Sequence, residues 1–482
     1  MYKIVVVGGG TAGLMAASFL KSTYGPHVDV TVIYDHKNPG IGVGESLTPI
    51  IYEYLTAVGI TREELILNVN ATVKLGLKFK NWLNDGGYYW HPFVQKDSPR
   101  NDIDAAFDLA HNTYDSDNGY SNYFLESNRI PKQSGTQALH IDSVLFARYI
   151  EHKFKDRINI VDGIVDEVNV SEHNHITHVR LTDGRVFDGN FFVDASGMQY
   201  ALFKHLNVKW IDKSDWLPID RCIPNPVPWT FTTQPTYTTS EASKDGWILQ
   251  VPLSNRWGTG YLYSSQFQQD NRAHDTFDQF LKNNYGTELT SSRVIKFKSG
   301  FWEDQWVGNC IAVGLSSGFT EPLEATNIHH VVYQLWMFTE MFNLEILNYD
   351  RKKYNKMMTS FYNNVYLYLR FCYTTGRTDS EFWKYMTANV PESVRDLEEK
   401  ISCNSMNTYS LPGTVFSYHN FTKVAHGLGK INRMSYLNEL RLRNMIEQAR
   451  IKATKLKIEK LVDYETSIDH LEYIKSVLNS TG

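Results

Sequence analysis

Lys3-Ile4-Val5-Val6-Val7-Gly8-Gly9-Gly10-Thr11-Ala12-Gly13, followed by Leu14-Met15-Ala16-Ala17-Ser18-Phe19-Leu20, reads as one strand–turn–helix unit. The run at 3–7 is continuously apolar and rich in β-branched residues, as in a strand buried on both faces. Helix formers follow Gly13. Between them Gly8, Gly10 and Gly13 stand at the spacing G-x-G-x-x-G. In this setting the first glycine makes the tight turn, the second admits backbone to a pyrophosphate, and the third packs helix on strand. Gly9, Thr11 and Ala12 complete the loop, and the positive helix N-terminus attracts phosphate. Residues 28–34 (VDVTVIY) supply the second strand of a βαβ unit. Asp35 lies 22 positions after Gly13, just past that strand, where an acidic side chain can reach ribose hydroxyls; the alternative is an aspartate that caps its own loop.

Two later segments read as buried strands ending in glycine. They are residues 191–194 (FFVD) with Ala195-Ser196-Gly197, and residues 309–313 leading into Gly314 and Leu315. Both return backbone toward the same nucleotide, and a long FAD needs more such returns than NAD. Asp194 and Gly197 therefore favour FAD. Residues 45–150 read as mixed and mostly helical, with a turn-rich aromatic stretch at 85–93 (DGGYYWHPF). Asp183-Gly184 marks a hairpin. Residues 205–300, rich in Thr, Tyr and Trp with Pro224, Pro226 and Pro228, read as an antiparallel lobe, and beyond about 328 the periodicity is helical.

The expected fold is thus α/β. A doubly wound, Rossmann-like FAD-binding domain of the flavoprotein monooxygenase kind (1–204 and 300–340, with inserted helical segments) is interleaved with a β-rich substrate lobe (205–299). A helical C-terminal region (341–482) follows. Composition sets the outer bounds. In 482 residues, 48 Lys/Arg against 53 Asp/Glu give a net charge of −5, which argues against nucleic acid as a default partner. Hydrophobic residues make up 42% and charged residues 21%, as expected of a chain with a sizeable core. Residues 421–460 hold ten Lys/Arg against three Asp/Glu, most simply a solvated helix face. Cys222, Cys310, Cys372 and Cys403 are far apart, so neither a disulfide framework nor a zinc site is expected, and a reduced cytoplasmic protein is. Residues 4–20 carry no charge, but three consecutive glycines make a membrane span or leader the weaker reading. His329-His330 are adjacent and would diverge on a helix, so no metal is expected. Oligomeric state is left open, a homo-oligomer included.

Five segments, in order, resemble motifs of flavin-dependent halogenases of the tryptophan-halogenase type. They are Ile41-Gly42-Val43-Gly44-Glu45-Ser46-Leu47-Thr48-Pro49-Ile50; residues 71–82, ending Phe79-Lys80-Asn81-Trp82; Ala138-Leu139-His140-Ile141-Asp142; Gly318-Phe319-Thr320-Glu321-Pro322-Leu323-Glu324-Ala325-Thr326-Asn327-Ile328; and Thr378-Asp379-Ser380-Glu381-Phe382-Trp383. With the glycine loop they span residues 4 to about 385. The Lys-, Asn- and Tyr-rich composition fits a low-GC genome, such as a marine bacterial or viral one.

The resemblance implies a chemistry. Reduced FAD and oxygen form a C4a-hydroperoxide, halide attacks it, and hypohalous acid leaves. The acid then passes through a tunnel to a lysine beside an electron-rich aromatic substrate. On the matching positions that lysine is Lys74, with Lys78 ranked second if the segment is helical. Glu324 is the second catalytic residue, with Glu321 as a control for it. Thr326 and Asn327 stand where the family binds halide. Asn327 replaces a glycine and Ala325 a serine, which suggests bromide or iodide is accepted as well as chloride. Glu45, Leu315 and Ile328 join the cofactor contacts, and His91 and Phe93 line the substrate pocket. The family's W-x-W-x-I-P reads Trp247-Ile248-Leu249-Gln250-Val251-Pro252 here, with Leu249 still a bulky wall. A separate NAD(P)H-dependent flavin reductase is implied, since no second glycine-rich dinucleotide motif is present. The rival readings are an aromatic hydroxylase on the same fold and a non-catalytic FAD-binding protein.

Overall fold

Tyr2–Val7 is apolar at successive positions, so it must be covered on both faces. In the computed structural model it is an inner strand of a six-stranded sheet. Residues 1–37, 44–93, 120–132, 136–229, 232–344, 348–403 and 415–480 are described. Ile41, Gly42 and Val43 of the glutamate motif lie outside them.

The strand order is Trp306–Val307, Cys310–Ala312, Phe191–Asp194, Tyr2–Val7, Val28–Tyr34, Asn159–Asp162. All neighbours are parallel except the first pair. Chain order therefore reverses direction between Tyr2–Val7 and Phe191–Asp194, the switch point where open α/β sheets bind nucleotides. Val5, Val7, Ile33, Phe192 and Ala312 form one face, packed against Ile176, Val179 and Leu181 of an antiparallel three-stranded sheet. The helix Thr11–Tyr24 packs against the strands and against helices Ser143–Phe154 and Thr326–Met341. The turn after Ile176–Leu181 is made at Gly184, at φ 88°, as the Asp-Gly pair predicts.

Contacts divide the chain into two units. One comprises Met1–Ala71, Ile141–Asp215 and Phe297–Tyr362; the other comprises Thr72–His140, Trp216–Lys296 and Asn363–Gly482. This division differs from the three-part expectation. Residues 72–140 group with the β lobe, as does the C-terminal region from Asn363 on.

The second unit is built on a seven-stranded sheet. Its centre, Arg256–Tyr263, Gly246–Pro252 and Tyr237–Ala242, is antiparallel as expected. Gly76–Lys80 then adds in parallel to Tyr237–Ala242, and Tyr88–Pro92 adds antiparallel beyond it. The alternating prolines of Arg221–Pro228 fit because, among the described residues, only Arg221 and Cys222 pair on that strand's outer side, which spares the prolines a ladder bond there. Helix Asp270–Tyr285 was not expected in this lobe. It buries Ala273, Phe277 and Leu281 at four-residue intervals and ends at Gly286, at φ 63°. Among the described residues no helix is long and apolar enough to cross a membrane.

The switch point leaves no room for a side chain. A Cβ on Gly8, at φ +121°, would lie 2.2 Å from the Ala195 carbonyl oxygen. Gly8→Ala is expected to cost at least about 3 kcal/mol, from left-handed strain plus a backbone clash, as read by chemical denaturation. A loss under about 1 kcal/mol would show that the turn can open.

Candidate active site

The glycine loop presents a bare helix end. Gly10 caps Thr11–Tyr24 without a side-chain hydrogen bond, and no acidic residue lies in the first turn. Gly10 is exposed, with nothing within 4 Å of where its Cβ would stand. Gly9 is the opposite case, because a Cβ there would strike the Tyr34 ring at 2.2 Å. A Cβ on Gly13 would lie 1.9 Å from the Gly8 carbonyl oxygen. Thr11 donates from Oγ1 to the Ser143 carbonyl at 3.2 Å. The loop is thus closed against its own fold and open toward an anion, which fits a dinucleotide pyrophosphate.

The other returns meet the loop. Ser316 Oγ donates to the Gly197 carbonyl at 3.0 Å, tying Gly197 to the Gly314–Ser316 turn that contains Leu315. Gly314, at φ +65°, approaches Ala12 so closely that a Cβ would lie 2.7 Å from the alanine methyl. Asp194 is fully buried. Its carboxylate accepts from Ser196 N and Oγ, Leu202 N and Phe203 N. It therefore holds the loop in shape, while nothing lies within 4 Å of where a Cβ on Gly197 would stand. Asp35 Oδ1 accepts from Lys37 N at 3.0 Å, the loop-capping contact weighed above. Together these features form a cradle suited to FAD.

Glu45 is half-buried, and burial raises its carboxyl pKa to about 7. Nearby in sequence, Thr48 Oγ1 lies 2.9 Å from His329 Nδ1, and burial lowers the His329 pKa to about 4.

Glu324 ends the short Pro322–Glu324 turn and is 1% exposed. Ala325 follows at φ 58°, a left-handed conformation that costs about 1 kcal/mol for a residue with a Cβ. That bend starts helix Thr326–Met341, which has no side-chain cap and no acidic residue in its first turn. Thr326, Asn327 and Ile328 therefore sit at an uncapped positive end. Thr326 Oγ1 is 3.1 Å from Thr320 Oγ1. Glu321 is as deeply buried as Glu324, so it is not the neutral control expected of it.

Lys74 is 0% exposed, and its ammonium stands 4.6 Å over the Phe93 ring. The segment around it is extended, not helical. Thr72–Lys74 pairs antiparallel with Ala138–Ile141, and Gly76–Lys80 begins after Leu75. The alternation of buried Leu77 and Phe79 with half-exposed Lys78 and Lys80 is a period-2 signal. Lys78 has a different setting. Its ammonium lies 3.8 Å over Tyr88, 4.9 Å over Trp90 and 5.7 Å from Tyr237. Burial lowers its pKa, against the pull of Glu126.

Beside Lys74 lies His140, bonded to Thr72 Oγ1 at 2.9 Å and Thr238 Oγ1 at 3.0 Å. Burial, helped by Lys74 and His470, holds His140 well below the usual imidazole range, hence neutral. Asp142 of the same motif caps Ser143–Phe154. His91 is 1% exposed. Asn420 turns its Oδ1 to Ser417 N, so its Nδ2 donates to His91 Nε2 at 3.0 Å, and Nδ1–H faces Tyr368 Oη at 3.2 Å. Phe93 is half-buried, and its ring lies edge-on to His91. Gln234, Thr238 and His470, which support the lysine strand, carry no sequence signal because they meet it only across long chain separations. Among the described residues no His, Cys, Asp and Glu group could hold a metal.

The sequence model of the tryptophan halogenase family matches residues 3–439. Tryptophan 6-halogenase SttH of Streptomyces toxytricini is 30% identical, over 90% of this chain and 88% of that protein. Tryptophan 7-halogenase RebH of Lentzea aerocolonigenes is 30% identical, over 83% and 81%. Among solved structures, Xcc4156, a flavin-dependent halogenase from Xanthomonas campestris, shares the fold. The TM-score is 0.87 over 99% of this chain and 98% of that one, at 24% identity. With its FAD cradle and buried lysine, the chain belongs to the tryptophan halogenase family, enzymes that use reduced FAD from a separate flavin reductase, oxygen and halide to halogenate aromatic compounds.

Proposed function

We propose that this enzyme halogenates an electron-rich phenol, indole or other heteroaromatic compound, with Lys74 receiving hypohalous acid and Glu324 assisting. Tryptophan is one such substrate, given the activity named for the relatives. The observation that carries the reading is a fully buried lysine whose ammonium lies over an aromatic ring.

Reduced FAD, when bound, supplies the electrons with which oxygen converts halide to an electrophile. The chain's own residues do the rest. Backbone at Gly10 and the Thr11–Tyr24 N-terminus would hold the pyrophosphate, Asp35 would stand by the ribose, and Gly197, Leu315 and Ile328 would contact the cofactor through backbone. The uncapped N-terminus at Thr326 and Asn327 attracts halide. Asn327 in place of glycine reshapes that site, so bromide or iodide is taken at least as well as chloride, and both are easier to oxidise. Lys74 donates a hydrogen bond to hypohalous acid and raises its electrophilicity, or carries the halogen as a haloamine when neutral. Glu324 accepts the proton that the ring loses on regaining aromaticity. His91 and Phe93 line the substrate side. Trp247 and Leu249, 0% and 7% exposed, stand where the family's aromatic wall keeps substrate off the flavin.

A panel of aromatic compounds with FAD, NADH, a flavin reductase, catalase and mixed halides tests this by mass spectrometry. A halogen mass shift is expected from the wild type. It should fall at least about 100-fold in Lys74→Ala with FAD affinity unchanged, the scale of losing a group that acts in the transition state. An oxygen-only product would sink the reading. With equimolar halides, brominated or iodinated product should at least equal chlorinated product; exclusive chlorination would refute the halide assignment.

Glu45 gives a third test, in the cofactor-free protein. Below about pH 4.5 its carboxyl is protonated both folded and unfolded, so it has no effect on stability. Between its ordinary value of 4.5 and about 7 the unfolded chain ionises first, so stability falls with rising pH and levels off above 7. Glu45→Gln should therefore stabilise more at pH 8 than at pH 5, by about 2 kcal/mol. Equal gains at both pH values would show that Glu45 titrates normally.

A further inference from the structure

Val73 precedes the buried lysine, and its backbone answers to the far end of the chain. Its strand pairs with Ala138–Ile141 on one side. The Val73 N–H donates elsewhere, to His470 Nε2 at 2.9 Å. A side-chain nitrogen thus stands where another strand would offer a carbonyl. His470 is 0% exposed and opens the helix His470–Asn479, beyond residues 3–439 that the family model matches.

We propose that His470 is a positioning residue for Lys74, and that the C-terminal segment is thereby part of the halogenating apparatus. The inference rests on the reading of Lys74 as the delivering lysine.

The hydrogen bonds fix the histidine's state. A backbone N–H can only donate, so Nε2 is the unprotonated nitrogen. Nδ1 then carries the proton and donates to the Gln234 carbonyl at 3.0 Å. Only this neutral tautomer satisfies both partners.

A ring of contacts closes around the strand. Gln234 Nε2 donates to the Pro252 carbonyl at 3.4 Å, and Thr72 Oγ1 donates to the same carbonyl at 2.6 Å. Residues 72 and 73 are held from both ends of this ring. On the other side of Lys74, Leu75 N–H donates to the Thr236 carbonyl at 2.6 Å, and its carbonyl accepts from Phe93 N at 2.7 Å. The lysine therefore projects from backbone fixed before and after it, and Phe93, which its ammonium faces, is tied to the same backbone.

The histidine is itself anchored. Its N–H donates to the Asn128 carbonyl at 3.1 Å. Ile468–Asp469 pairs with Arg129–Ile130, and Arg129 donates to Ser467 Oγ at 2.7 Å and to its carbonyl at 2.6 Å. The segment is bolted to the same unit just before His470, so the imidazole arrives in one position.

The test compares His470→Ala, His470→Gln and His470→Asn with Lys74→Ala, each as the full chain. The readouts are kcat and KM for the aromatic substrate, hypohalous acid captured by an added scavenger per halogenated product, FAD affinity and melting temperature. Glutamine can place an amide oxygen near the position of Nε2; asparagine is one bond shorter. His470→Ala should lower kcat at least tenfold and raise the captured acid, with KM and FAD affinity within twofold of wild type. Glutamine should recover at least half of kcat and asparagine much less, a contrast that still decides the matter if the alanine variant does not fold. A lower melting temperature with unchanged kcat and coupling would overturn the proposal. So would glutamine restoring the melting temperature without the coupling. Product formation by Lys74→Ala would overturn the reading of Lys74, and this inference with it; a Lys74-dependent enzyme indifferent to His470→Ala would overturn this inference alone.

Discussion

The Ala195 carbonyl stands so close to Gly8 that no side chain fits between them. That approach sets the nucleotide end of the molecule. It forces glycine at the turn, and the turn delivers Thr11–Tyr24 with its amide groups bare. Gly13 against the Gly8 carbonyl and Gly314 against Ala12 repeat the same economy of space. Each glycine keeps the fold tight on its inner side, so the outer side, at Gly10, is left open to a pyrophosphate. The polar groups nearby are mostly occupied in building. Asp194 satisfies four donors of its own loop, and Ser316 holds Gly197. The cradle is thus largely a backbone surface.

The lysine end obeys a different constraint. A buried ammonium is costly unless its surroundings compensate, and a flexible four-carbon stem has many positions to choose from. The structure answers with a ring face for the cation and a stiff base for the stem. Val73 and Leu75, on either side, are buried in one apolar cluster with Trp90, Phe124, Leu125 and Ile130. A neutral His140 adds hydrogen bonding without adding a second positive charge beside Lys74. Lys78 shows the contrast. It is similarly rich in aromatic neighbours, but it is partly open to solvent and lies on the strand after the break at Leu75.

What the sequence disclosed divides along the same line. The strand–turn–helix at residues 3–20, the strands at 28–34 and 191–194 and the Asp-Gly turn were legible because each is a local pattern whose chemistry lies within a few residues. The lysine segment is extended and not helical, and the alternation of Leu77 and Phe79 with Lys78 and Lys80 is its local sign. The pairing of Gly76–Lys80 with Tyr237–Ala242 joins residues some 160 apart, and nothing local to either strand announces it. The grouping of residues 72–140 with the β lobe was hidden for the same reason. Helix Asp270–Tyr285 was legible in principle, from Ala273, Phe277, Leu281 and the closing Gly286, but the aromatic and threonine content around it pointed to strands.

Site residues follow this rule too, and it says where variation between related enzymes has physical leverage. The glycines that close the turn from behind, Gly8, Gly13 and Gly314, are fixed by space, because none of them has room for a Cβ. Ala325 is the exception that carries strain, since its left-handed backbone bends the chain between a buried glutamate and an uncapped helix end. If halide binds at Thr326 and Asn327 as proposed, changing Asn327 would alter volume and hydrogen bonding without removing the helix dipole, so attraction for an anion would survive while size preference would move. The support of Lys74 is freer, because any neutral acceptor at the right distance would satisfy the Val73 N–H. A histidine meets that demand only in one tautomer, and Gln234 selects it. The backbone on either side of Lys74 is therefore held by hydrogen bonds from His470, Thr236 and Phe93, which is the geometry the proposed positioning role draws on.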